Sequence, residues 1–163
     1  MNTISTSGLE FKRPVWQNTV ILTLGFWLSA SLILDWVIMP SLYVSGMMTQ
    51  SSFATAGYTI FWNFNRVELL CAGLILTGFL ALSKSQFKGI NRGIILAMVM
   101  LAIASVDTYL LTPQMSAIGL NLNFLSAVSE VPGNMNLLHG AYWLLEVIKL
   151  AVGGTLFIWS WKQ

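Results

Sequence analysis

Six charged side chains, Asp35, Arg66, Glu68, Asp107, Glu146 and Lys149, sit inside long apolar stretches of this 163-residue sequence. The single histidine, His139, opens the last of those stretches. A charged group at bilayer depth costs about 2.5–3.5 kcal/mol on insertion scales unless it faces protein or a wet cavity. These residues are therefore the first place to look for chemistry, with cation binding, ion pairing and ligand recognition all within their reach.

Helical spacing sorts them. His139, Trp143 and Glu146 follow i, i+4, i+7 on one stripe, with Lys149 another three residues along. Asn63 and Arg66 share a face. Arg66 and Glu146 lie at matching depth, so the expected structural ion pair is Arg66 with Glu146, and Glu68 with Lys149 is a second. Asp35 and Asp107 then have no basic partner, at a depth of about 7 Å below the outer edge. Three outcomes are open for them: protonation, pairing with a cationic His139, or a bound cation. A hydrogen-bond network fixing helix register is the structural alternative. The candidate ligand-binding cluster is Asp35, Asn63, Arg66, Asp107, His139 and Glu146.

Methionine widens the metal options. Met39, Met47, Met48, Met115 and Met135 map to the outer side. Thioether sulfur with imidazole suits Cu(I), which makes His139, Met115 and Met135 a candidate copper set. Haem held by two histidines is excluded by the lone His139, whereas one-histidine ligation of haem or a chlorophyll-like pigment stays open. Cys71 is alone, which rules out an intrachain disulfide. No P-loop, HExxH or GxSxG pattern is present, and no nucleophile stands beside a base, so no catalytic residue is named.

The elements that must position these residues follow from composition. Apolar residues make up 56% of the chain and charged residues 9%, against about 25% charged in a soluble domain. Mean hydropathy is +0.73. That balance, with a net charge of +2, excludes a nucleic-acid partner, a disordered tail and a disulfide-stapled module. Four apolar segments stand out, at about 16–39, 58–82, 94–112 and 137–161, each near the ~20 residues needed to cross a bilayer. The expected fold is an all-α membrane protein, an antiparallel bundle of four transmembrane helices in one domain over residues 1–163. The first apolar run outlasts a signal-peptide core and reads as an uncleaved anchor. The first and third spans are expected to stop at Pro40 and Pro113.

Lys12, Arg13, Lys84, Lys88, Arg92 and Lys162 flank the spans on one side, and the segments 41–57 and 113–136 contain no Lys or Arg. The positive-inside rule then puts both termini in the cytoplasm. The two outer segments are expected to fold back over the bundle. Gly25, Ser29, Gly73, Gly78, Ala151, Gly153 and Gly154 are expected to allow close helix approach.

Two stretches carry a resemblance: Asp35-Trp36-Val37-Ile38-Met39-Pro40 with Phe61 beyond it, and Leu111-Thr112-Pro113-Gln114-Met115 with Leu138-His139-Gly140 beyond it. Together they resemble the small four-span proteins grouped as transmembrane-protein-205-like (domain of unknown function 4149), placed near the CopD copper-resistance proteins. The resemblance implies a four-helix membrane bundle and marks Pro40, Pro113, His139 and Gly140, without supplying an activity. Its animal members are associated with drug resistance and its wider relatives with copper handling and haem biosynthesis. Glu146 and Arg66 depart from that pattern.

The leading functional expectation is an integral membrane protein that binds a small ligand, metal ion or partner membrane protein through a buried polar cluster near its outer face. Two alternatives stand beside it. One is a membrane oxidoreductase or oxygenase of the anthrone-oxygenase or protoporphyrinogen-oxidase kind, acting on a hydrophobic substrate through His139, Asp35 and Asp107. The other is an accessory or assembly subunit of a larger membrane complex.

Overall fold

The structure, a computed structural model, describes residues 14–47, 52–83, 89–124 and 133–163. Lys12, Arg13, Lys84, Lys88, Met48 and Ser51 lie outside the described residues. Among the described residues the protein is all-helical, with four helices long and apolar enough to cross a membrane.

Helix α1 runs Val15–Val44, α2 Phe53–Leu82 and α4 Gly133–Lys162. Helix α3 is built from three consecutive pieces, Ile90–Val106, Asp107–Leu111 and Thr112–Phe124. Helices of 30 residues extend about 45 Å, well beyond the hydrocarbon thickness of a bilayer. Gly89, at φ 75°, turns the chain into α3 in a left-handed conformation that glycine adopts without steric penalty.

The expected stops at Pro40 and Pro113 are not where α1 and α3 end. Both helices run through their prolines, because each widens into a π-helical turn just upstream, at Leu32–Ile38 and Asp107–Leu111. A proline in an α-helix clashes with the carbonyl four residues back and removes one hydrogen bond. The wider turn relocates that carbonyl and lets the helix continue. The segments read as outer loops therefore begin as helix, Met39–Val44 around the first proline and Thr112–Phe124 around the second.

Packing follows small residues. Gly78 lets Val20 of α1 sit against α2. Gly93 lies under the Phe79–Trp159 stack, where an added Cβ would come within 2.6 Å of Trp159 and 2.8 Å of Phe79. Gly153 receives Leu28 in the same way. Gly73 and Gly154 have nothing within 4 Å of such a Cβ, so close approach does not account for them. Gln17 Nε2 donates to the Ser160 carbonyl at 2.9 Å and joins the start of α1 to the end of α4.

Two apolar clusters form the core. One contains Leu24, Trp27, Ile75, Phe79, Met100 and Leu156. The other is smaller, with Leu111, Leu138 and Tyr142 backed by Phe61 and Met115. Along α2, α3 and α4 the buried charged residues fall between these two clusters. The outward surface is apolar instead: Leu22, Leu70 and Leu144 are between 62% and 73% exposed, while Glu68, Asp107, Glu146 and Lys149 are 0% exposed. Polar inside and apolar outside is the arrangement a hydrocarbon surrounding favours.

Candidate functional site: a buried carboxylate layer beneath a cavity

Lys149 on α4 is the hub of the buried layer. Its Nζ lies 2.5 Å from Glu68 Oε1 on α2 and also binds Glu146 Oε1 one turn back on its own helix. Glu68 Oε1 accepts two further hydrogen bonds from α1, from Trp27 Nε1 at 2.7 Å and Ser31 Oγ at 3.2 Å. The Lys149 ammonium also stands 5.8 Å from the centre of the Trp27 ring, within cation–π range. One carboxylate thus ties three helices together.

Asp35 and Asp107 belong to the same layer. Tyr142 Oη donates to Asp35 Oδ1 at 3.1 Å and stands one turn before Glu146 on α4. Glu68, Asp107 and Glu146 each present a carboxylate oxygen, and these three atoms lie within 4.8 Å of one another. Both π-helical turns contain one of the aspartates. A π turn inserts one extra residue per turn and rotates the side chains that follow. Ordinary helical spacing already turns both acids inward, Asp35 on the face of Trp27 and Ser31 and Asp107 on the face of Met100 and Ala104.

The charges do not balance. Four carboxylates, Asp35, Glu68, Asp107 and Glu146, share one buried lysine. Several of their oxygens have no hydrogen-bond donor: Asp35 Oδ2, Glu68 Oε2, Glu146 Oε2 and both oxygens of Asp107. Buried carboxylates left in that state carry a large desolvation penalty, which a proton or a bound cation relieves. The donors are all oxygen, a set that suits hard cations such as Mg²⁺, Ca²⁺ or Mn²⁺ and not Cu(I).

A cavity of about 720 Å³ at the end of the bundle that holds Pro40 and His139 reaches this layer and has Asp35 and Tyr142 among its lining residues. His139, Met115 and Met135 line the same cavity. His139 is exposed, and its Nδ1 donates to the Met135 carbonyl at 2.9 Å.

No protein-family model, curated protein or solved structure matches the chain.

Two placements differ from the sequence expectation. Arg66 is not the partner of Glu146: it is exposed on the outer surface of α2, where its guanidinium packs 4.0 Å from the centre of the Trp62 ring. The reason is angular. The buried stripe of α2 passes through Asn65, Glu68, Ala72, Ile75 and Phe79, and Arg66 stands one residue off it. Asn63 is exposed as well, its Nδ2 donating to the Thr59 carbonyl, so neither residue joins the cluster. The second difference is depth. Asp107 meets Glu68 and Glu146, since α3 continues beyond Pro113, while Asp35 shares the cavity lining with His139 and is buried against Tyr142.

Sequence reasoning also passed over Trp27, Ser31 and Tyr142. A signal was present for each. Trp27, Ser31 and Asp35 recur at i, i+4, i+8 on one face, and Tyr142, Glu146 and Lys149 at i, i+4, i+7. The expected stripe on α4 is right at Glu146 and Lys149, which are buried, and one position off at His139 and Trp143, where Leu138 and Tyr142 are buried instead.

Proposed function

We propose that this chain is an integral membrane protein, an antiparallel four-span bundle, that binds a hard cation in its buried carboxylate layer. The observation carrying this reading is the Glu68–Asp107–Glu146 group, three fully buried carboxylates with oxygens within 4.8 Å and one lysine to offset them. Alternating helix direction is supported by contacts gathered at one end. There the start of α1 meets the end of α4 through Gln17 and Ser160, and the start of α3 meets the end of α4 through Gly93 and Trp159. The basic residues flanking the spans place that end, and with it both termini, in the cytoplasm. The cation then enters from the outer face, since the larger apolar cluster closes the layer from the other side.

Asp35–Pro40 and Leu111–Met115, on which the likeness to the transmembrane-protein-205-like family rests, adjoin or include the π-helical turns and supply Asp35, Met39, Pro40, Thr112 and Met115 to the cavity wall. Membership of that family is part of the proposal.

The test is metal analysis of the purified protein followed by calorimetric titration with Mg²⁺, Ca²⁺ and Mn²⁺. Stoichiometric binding of one of them, lost in Asp107→Asn, is expected. No binding of any of the three overturns the reading, and binding of Cu(I) alone moves the site to His139 and the cavity methionines.

Arg66 favours a second reading, docking of a partner membrane subunit. An exposed guanidinium midway along a lipid-facing helix is costly unless a partner carboxylate or a headgroup meets it. Co-purification in mild detergent, lost in Arg66→Ala, is the result that reading requires.

A further inference from the structure

We infer that the outer cavity is a binding site for a lipophilic protonated amine, with Asp35 receiving its N–H. The cavity holds about 720 Å³, inside the range that encloses a drug-sized molecule. Its walls are largely aromatic and thioether, with Tyr58, Phe61, Trp143 and Met115 among them. Phe61 packs edge-on against Tyr142, ring centres 5.7 Å apart, and Trp143 against Trp36 at 5.4 Å, so these walls are braced. Aromatic faces attract a desolvated cation, and the hydrocarbon body of an amphiphile fits the same surface.

Asp35 decides the polar end of the ligand. It lines the cavity, is 1% exposed, and uses one oxygen for the Tyr142 hydroxyl. Its other oxygen has no donor. No lysine or arginine is among the described residues that line the cavity, and Lys149 is committed to Glu68 and Glu146. A ligand completing this site must bring a hydrogen-bond donor for Oδ2, and a positive charge is strongly preferred beside four buried carboxylates that share one lysine. A neutral alcohol meets the first demand only, a quaternary ammonium the second only, and a carboxylate neither. A protonated amine on an apolar body meets both.

This site stands on the cavity and Asp35, separately from the cation site on Glu68, Asp107 and Glu146. The full chain in lipid nanodiscs is titrated with 4-phenylbutylamine, its N,N,N-trimethyl derivative and 4-phenylbutanol. The amine is expected to bind tightest. Asp35→Asn should weaken it about tenfold or more, the scale of one lost charge-assisted hydrogen bond, and leave the alcohol unchanged. Gly57→Leu supplies an independent arm: Gly57 lines the cavity and has nothing within 4 Å of an added Cβ, so a side chain there starts into open space. That variant should lose amine binding even if Asp35→Asn does not fold. Asp107→Asn, outside the cavity lining, should keep amine binding while losing the metal. Equal binding of amine and alcohol, or amine binding unchanged in Gly57→Leu, overturns the inference whatever the metal titration shows.

Discussion

Lys149 and Glu68 form an ion pair between α4 and α2, Nζ to Oε1 at 2.5 Å, with each side chain 1% exposed. Three donors from two helices converge on that one glutamate oxygen, and Glu146 holds the lysine from behind. In an apolar surrounding such a group stabilises only while it is complete, since removing one member strands the rest.

Lys149→Met should therefore be among the most damaging single changes, costing about 3–5 kcal/mol. The triple variant Lys149→Met, Glu68→Gln, Glu146→Gln should recover part of that loss, because the two carboxylates that contact the lysine are neutralised with it and only Asp35 and Asp107 of the layer remain charged. Thermal unfolding in detergent measures both. A triple variant no more stable than the single one argues against a charge-driven penalty.

Arg66→Ala behaves differently. The side chain is exposed and touches Trp62, so its loss should cost no more than about 1 kcal/mol. Combined with Glu146→Ala, the two effects should add within about 0.5 kcal/mol. Strong coupling in this cycle would restore the direct pair that the structure lacks.

Gly93→Ala probes the contact between α3 and the Phe79–Trp159 stack. An added methyl meets both rings at under 3 Å, and rings stacked 5.9 Å apart must shift to receive it. A loss of about 1–3 kcal/mol is expected from overpacking. Gly73→Ala meets no neighbour and should be neutral or slightly stabilising. Similar melting temperatures for the two variants would contradict the packing described.

Cys71, the single cysteine, is 5% exposed within the larger apolar cluster. The folded protein should resist maleimide labelling and become fully reactive in SDS. Rapid labelling under native conditions would show that the α2 packing opens readily.

Four apolar segments and an excess of buried charge were legible in the sequence because both follow from residue type. Long apolar runs must become helices to satisfy their own backbone in lipid, and a charge inside one must turn toward protein. Glu68, Asp107, Glu146 and Lys149 follow that logic and are buried. What the sequence could not decide was angle and register. A helix places neighbouring residues about a quarter turn apart, so an error of one position selects the wrong face. That is the distance between Asn65 and Arg66, and between Tyr142 and Trp143.

The π-helical turns were hidden for a related reason. Whether a proline ends a helix or is absorbed by a wider turn upstream depends on what packs beside it, and no local pattern around Pro40 or Pro113 settles the choice. By itself the sequence determined that this protein is helical, suited to a membrane, and carries more internal charge than an anchor needs. Only the tertiary structure decided which charges meet. Helices fixed by Gly78, Gly93 and Gly153, two of them carried through their prolines by π turns, bring four carboxylates to one lysine and leave Arg66 outside.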